Sequence, residues 1–170
     1  ALKLSQSNPV KAHDFLARAK ELGSKALQDV RQSVSALRLH PWQGDSLESA
    51  IILLLEDVER TTNVKPEYII NLTTPLSNEL SITVYRIIQE SVTNICKYAN
   101  ATKINLELLN IHSELHLKIQ DNGIGFDLNE ATKGFGLHSM RQRTEALGGN
   151  FDIETSPGNG CQIQVIIELI

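Results

Sequence analysis

The sequence predicts an α+β fold: a two-layer sandwich in which helices cover a sheet built mostly of antiparallel hairpins, with one long helix ahead of it. Three observations predict it. Segments of period-two hydrophobicity come in hairpin pairs, segments of helical period stand between and around them, and the strict strand–helix alternation of a doubly wound sheet is missing. At 170 residues the chain is long enough for one compact domain and an appendage.

In residues 9–40, Ala12, Leu16, Ala19, Gly23, Ala26, Val30, Ser33 and Leu37 recur in steps of three and four, a coiled-coil-like seam of small side chains. So narrow a stripe needs a partner from another chain or segment, and this helix is expected to be an interaction element. Pro41 ends it, residues 42–45 read as a linker in which Trp42 docks on the next domain, and the boundary falls there, giving domains 1–42 and 43–170. Ser46 caps a second helix, whose apolar stripe is Leu47, Ile51, Leu54, Leu55 and Val58 and which ends near Thr61. Tyr68, Ile70 and Leu72 alternate with Glu67, Ile69, Asn71 and Thr73 as a strand that Pro75 closes. Ser77 or Asn78 starts a third helix, expected to run to about Tyr98. Residues 103–110 and 114–120 alternate as a hairpin around Ile111-His112-Ser113. Residues 138–147 have helical spacing and stop at Gly148-Gly149, and strands at 150–155 and 161–169 are joined by the turn at 156–160.

Charge and cysteine usage narrow the partners. A net charge of −4 with both signs interspersed and no basic run argues against a nucleic-acid groove or a polybasic membrane surface, leaving proteins and small molecules. Cys96 and Cys161 show no C-x-x-C and no histidine at metal spacing, so neither a disulfide framework nor zinc is indicated and a reducing cytoplasm is expected. No apolar run approaches the ~20 residues that span a bilayer, so no membrane contact is expected of these residues, though a longer parent could be anchored.

Chemistry concentrates in three places. Leu115, Leu117 and Ile119 alternate with polar residues, so Asp121 sits where a strand runs out, and Asp121-Asn122-Gly123-Ile124-Gly125 then offers a carboxylate followed by backbone that can approach a ligand closely. Taken alone, the stretch is equally a turn after a strand. At roughly 100° per residue Glu90, Asn94 and Lys97 share one face of the third helix, with Tyr98 at its edge, opposite Val84, Ile88, Val92, Ile95 and Ala99. A carboxylate, an amide oxygen and an ammonium suit a magnesium nucleotide, while a solvated helix face with an incidental Glu–Lys pair is the plainer reading of this stripe by itself. Gly134-Phe135-Gly136-Leu137 feeds a helix N-terminus, whose N–H groups suit phosphate oxygens or simply make a flexible entry. Gly158-Asn159-Gly160-Cys161 is, by its own chemistry, a hairpin turn.

Together these stretches resemble the ATP-binding catalytic domain of sensor histidine kinases, in the superfamily that includes type II topoisomerases and heat-shock chaperones. The resemblance covers positions 84–168: Y-R-I-I-Q-E-S-V-T-N-I-C-K-Y-A for the Asn box, D-N-G-I-G-F and G-F-G-L-H-S-M-R-Q-R for two glycine boxes, and G-N-G-C for the last. The phrase A-L-G-G-N-F-D-I-E-T-S-P-G-N-G and the short lid between Phe126 and Gly134 are most like the nitrate-sensor subclass. The resemblance implies a Bergerat-type ATPase fold, a mixed, mostly antiparallel sheet on three helices, with ATP and Mg2+ as cofactors. It implies that Asn94 ligates magnesium, that Glu90 is catalytic, polarising the attacking group or ordering the metal's waters, and that Lys97 contacts phosphate. Asp121 would take a hydrogen bond from the adenine amino group, Gly123 and Gly125 would admit the base, and Gly134, Gly136 and Leu137 would line the triphosphate.

Residues 1–42 resemble the second helix of the family's dimerisation and phosphoacceptor domain through A-L-Q-D-V-R-Q-S-V-S-A-L-R. The acceptor histidine then lies on a preceding helix outside this chain, His13-Asp14 being a poor substitute because Pro9-Val10-Lys11-Ala12 matches the start of the second helix. The resemblance further implies γ-phosphoryl transfer to a histidine of the parent, relay to a response regulator, and a homodimer through the N-terminal helix; this chain alone is expected to bind nucleotide without autophosphorylating. Two positions depart from the family: Tyr98 stands where histidine is frequent, its hydroxyl still able to hydrogen-bond near the nucleotide, and Cys161 where threonine usually helps near adenine beside Gly160. A thiol is a poorer hydrogen-bonding group, expected to weaken the base contact or, if exposed, to oxidise, while the plainer reading of Cys161 is a small residue at a strand start. The alternatives are an anti-sigma-factor-type serine kinase, disfavoured by the N-terminal helix, and a non-catalytic ATP-binding interaction module, disfavoured by the intact Glu90, Asn94 and Asp121.

Overall fold

A computed structural model describes residues 46–128 and 135–169, all within the second of the chain's two compact units, Trp42–Ile170. The expected N-terminal helix, Trp42, the lid and Gly134 lie outside the described residues. Helix α1 spans Leu47–Thr61, strand β1 Lys65–Asn71 and helix α2 Asn78–Asn94, which passes into a π-helical turn at Ile95–Ala99. Strands β2 (Lys103–Ile111) and β3 (Glu114–Asp121), helix α3 (Phe135–Ala146) and strands β4 (Asn150–Thr155) and β5 (Cys161–Glu168) complete the order.

The five strands form one sheet in the order β1-β2-β3-β5-β4. Only β1 and β2 pair in parallel, across the crossover made by α2; the other neighbours are antiparallel. Alternation decides which face is covered. Leu106, Ile119, Ile163 and Ile153 lie side by side across four strands, with Leu108, Leu117, Val165 and Phe151 in the next row, and all of these eight but Ile153 are buried. The intervening row of Glu107, Lys118, Gln164 and Asp152 makes the other face polar.

Helix α2 is the keel of the helical layer. Val84, Ile87, Ile88 and Val92 bury one side of it completely or nearly so, and Ser77 caps its start by accepting the N–H of Leu80 at 3.2 Å. Helix α1 is capped as its sequence predicts, Ser46 Oγ accepting the Ser49 N–H at 3.2 Å. Ser91, at 2 % exposure, donates its hydroxyl to the Ile87 carbonyl at 2.8 Å and lies 3.3 Å from Met140 Sδ, which seats α3 on α2. On its other flank α3 is held to β4 by Arg141, which donates to the Phe151 carbonyl at 3.0 Å and lies 5.0 Å over that ring.

Three elements differ from their expected bounds. Strand β1 begins at Lys65, ahead of the alternation at Tyr68, because β1 is an edge: Pro66 needs no N–H for a neighbour beyond it. Helix α3 begins at Phe135 rather than near His138, so Gly136 and Leu137 belong to its first turn. Helix α2 does not stay α-helical to Tyr98 but loosens to a π-turn after Asn94.

Candidate functional site

Two clusters of the sequence-singled residues form at one end of the sheet, and the π-turn lies between them. The first is on α2. Glu90 and Asn94 are half-buried one turn apart, and the first turn of α3 comes down on them: a Cβ on Gly136 would collide with Glu90 Oε1 and lie 3.4 Å from Asn94 Nδ2. Helices α2 and α3 pack together here, Gly136 beside Glu90 and Asn94, and Met140 beside Ser91. Leu137 packs partly buried against the core, whereas Phe135 at the helix start is 91 % exposed. The arrangement sets a carboxylate and a primary amide beneath the N–H-bearing end of a helix, which is chemistry for anions and for an oxygen-liking cation.

The second cluster is at the end of β3. Asp121, 5 % exposed, stands opposite Ile104 on one side and Cys161 on the other. Its Oδ1 accepts the Gly123 N–H at 2.7 Å, closing a tight turn. Burial holds the Asp121 carboxyl above its ordinary value, the Gly123 and Cys161 backbone N–H groups pulling the other way. The neighbouring Cys161 thiol is pushed up to about 11, first by burial and then by the Asp121 charge. A thiol so placed stays protonated at neutral pH, so Cys161 lacks the thiolate that oxidation requires.

The glycine loop is clamped from both sides. The Ile124 N–H donates to the Ala99 carbonyl at 2.8 Å, and a Cβ on Gly123 would run into that same carbonyl. On the other side the Gly158 N–H donates to the Ile124 carbonyl at 2.6 Å, and Gly125, at φ +58°, lies against the Ser156 carbonyl. Thr155 completes the join, donating to the Gly160 carbonyl at 2.7 Å while accepting the Phe126 N–H at 3.2 Å. The 156–160 turn, by its own chemistry only a hairpin, is thus the brace of the Asp121 loop.

The structure therefore groups Glu90, Asn94 and Gly136, and separately Asp121, Gly123, Gly125, Gly160 and Cys161. Lys97 and Tyr98 fall in the π-turn and are exposed, Tyr98 at 69 %. A helical wheel at 100° per residue does not describe either, because a π-turn advances fewer degrees per residue than an α-turn. The residues that sequence reasoning missed are Ala99, Asn122, Thr155 and Ser91. Their signal was faint: each is a common residue acting through a backbone group or a single hydroxyl or amide.

Residues 79–170 match the family model described as histidine kinase-, DNA gyrase B- and HSP90-like ATPase. The chain belongs to that ATPase family. Among similar proteins, the sensor histidine kinase LiaS of Bacillus subtilis is 28 % identical over 149 residues, covering 87 % of this chain and 41 % of its own length. The sensor protein VraS of Staphylococcus epidermidis is 33 % identical over 147 residues, covering 83 % of this chain and 42 % of its own. The chain thus spans about two fifths of the length of these relatives. Among solved structures, the Acinetobacter baumannii histidine kinase AdeS superposes with a TM-score of 0.61 at 17 % identity, covering 92 % of this chain and 83 % of that one. The histidine kinase domain of Erythrobacter litoralis EL346 gives 0.61 at 18 %, covering 72 % and 59 %. These likenesses show the α+β fold of an ATPase domain, and membership of the family makes the domain an ATP-binding one.

Two outcomes check this geometry. Gly123→Ala is expected to lower stability by about 3 kcal/mol, since the backbone carbonyl of Ala99 has no freedom to yield; urea denaturation reads it. In a Cys96→Ser background, Cys161 of the folded chain should react with iodoacetamide at pH 8 at least about a hundredfold more slowly than in urea, the rate climbing as pH approaches 11.

Proposed function

We propose that this chain is the Mg-ATP-binding catalytic portion of a two-component sensor histidine kinase. Its parent would transfer the γ-phosphoryl group of ATP to a histidine on a helix outside this chain, for relay to a response regulator. The observation that carries the reading is the pairing of a buried carboxylate at the end of β3 with an amide and a carboxylate beneath the first turn of α3, joined through the Ala99–Ile124 contact. One end suits an adenine amino group and the other a metal-bound triphosphate.

Asp121 accepts the exocyclic N–H of the base; a carboxylate is acceptor-only, so it favours adenine over bases that present a carbonyl there. Gly123 and Gly125 admit the base by letting the loop fold back on the Ala99 and Ser156 carbonyls beside it. Gly136, which brings α3 down on Glu90, lines the triphosphate together with Leu137 and Gly134 of the lid. Lys97 neutralises phosphate charge from the π-turn, and Tyr98 and Cys161 border the nucleotide. Magnesium fits the donor set. Among the described residues no three His, Cys, Asp or Glu side chains gather to hold a metal, and magnesium needs no such cage, taking one or two protein oxygens with waters and phosphate. Asn94 would hold it through its amide oxygen, where it neutralises phosphate charge. Glu90, one turn earlier, polarises the attacking imidazole or orders water. Positioning and charge neutralisation carry most of the catalysis in phosphoryl transfer.

In the parent, residues 1–42 supply the second helix of a dimerisation domain, through which a homodimer forms, and residues 43–170 the catalytic domain. We place the chain in the cytoplasm, whether or not its parent is anchored; no helix among the described residues is long and apolar enough to cross a membrane.

The test has two arms. Calorimetry should find ATP binding that requires magnesium and weakens about ten- to a hundredfold in Asp121→Asn, the loss expected of one charge-assisted hydrogen bond. Mixing the chain with a dimerisation segment that bears the acceptor helix and with labelled ATP should label the segment. Unchanged binding in the variant together with no transfer would sink the assignment. The same variant reads the cost of burying the carboxylate. The folded-state value of Asp121 is raised, so its stability contribution is present below the ordinary carboxylate range and lost as pH rises through the folded value. Asp121→Asn without nucleotide should therefore melt at or above the wild-type temperature at pH 7, the gap closing as pH falls through the carboxylate range.

A further inference from the structure

We propose that Asn122 is a positioning residue for adenine selection, holding the Asp121 loop in register with the end of the helix that carries Glu90 and Asn94. The inference deepens the ATP-binding reading and rests on it. Asn122 is exposed and lies just past the last ladder pair between β2 and β3, Ile104 with Asp121. There β3 must leave the sheet, and the Thr102 and Lys103 N–H groups at the start of β2 would lose their neighbour. The Asn122 side chain replaces the strand: its Oδ1 accepts both N–H groups at 2.9 Å, and its Nδ2 donates to Thr102 Oγ1 at 2.9 Å. Thr102 is itself anchored, its carbonyl accepting the Lys65 N–H at 2.8 Å as β1 begins.

Two residues on, the Ile124 N–H bonds the Ala99 carbonyl, three positions before Thr102. Asn122 and Ile124 therefore stitch residues 122–124 to residues 99–103 on either side of Gly123, which is pressed on Ala99. Segment 99–103 is the direct continuation of α2 and its π-turn. The separation between the Asp121 carboxylate and the α2 polar face is thus fixed in part by these two stitches, of which only Asn122 is made by a side chain and can be altered without touching the backbone. A carboxylate discriminates a base amino group only when held at hydrogen-bond distance and angle, so a loosened loop loses selectivity before it loses its fold.

The experiment compares ATP with inosine triphosphate, which lacks the amino group, by competition against a fluorescent ATP analogue, with melting curves alongside. Wild type should prefer ATP. Asn122→Ala should lose most of that preference, about tenfold, while melting within a few degrees of wild type. Asn122→Asp keeps an oxygen for the two N–H groups and a second for the Thr102 hydroxyl, and should restore the preference. Should Asn122→Ala not fold, Thr102→Val removes one of the three bonds and should lower the preference partially. An Asn122→Ala or Thr102→Val variant that folds and keeps full selectivity overturns the inference. Wild type that binds no ATP overturns the proposed function instead.

Discussion

The carbonyl of Ala99 is the point on which the site depends. It accepts the Ile124 N–H and meets Gly123 so closely that no side chain fits between. Through it the helix that bears Glu90 and Asn94 and the strand end that bears Asp121 become one rigid piece. The π-turn makes this possible: widening the last turn of α2 turns its final carbonyls away from the helix axis, and Asn100, at φ 50°, then reverses the chain into β2. Extra width in a helix leaves backbone groups without intrahelical partners, and here a glycine loop is the partner.

Around that contact the rest of the domain is support. The sheet buries one face against α1, α2 and α3, and the same alternation that fills the core delivers Asp121 and Cys161 side by side at its end. Burial is what gives Asp121 its character. Burial raises its carboxyl, while the backbone N–H groups of Gly123 and Cys161 that face it pull the other way. The same burial keeps Cys161 a protonated thiol, a small neighbour of the carboxylate and not a nucleophile.

The layered fold was legible because periodicity is loud. Leu115, Leu117 and Ile119 in one strand, and Val84, Ile88 and Val92 in one helix, announce their faces without reference to anything distant. The candidate site was legible as a set of short motifs, and the structure brings Glu90 and Asn94 to Gly136, and Asp121 to Gly123, Gly125, Gly160 and Cys161. Lys97 and Tyr98 lie where simple α-helical geometry stops applying. A π-turn leaves no distinct mark in hydrophobic spacing, since Ile95 stays buried under either winding. The early starts of β1 and α3 were also hidden, because an edge strand tolerates Pro66 and a helix tolerates Gly136 when a neighbour needs the space.

By itself, then, the sequence determined the α+β class, the faces of its elements and the chemical types gathered for a nucleotide. These come from local spacing and from side-chain chemistry, which need no knowledge of what lies opposite. Only the tertiary structure decided which backbone groups meet: Ala99 with Ile124, Asn122 with Thr102 and Lys103, the 156–160 turn with the glycine loop. Every residue but proline carries the same N–H and every residue the same C=O, so no pattern of side chains distinguishes the pair that closes a site until the chain has folded around it.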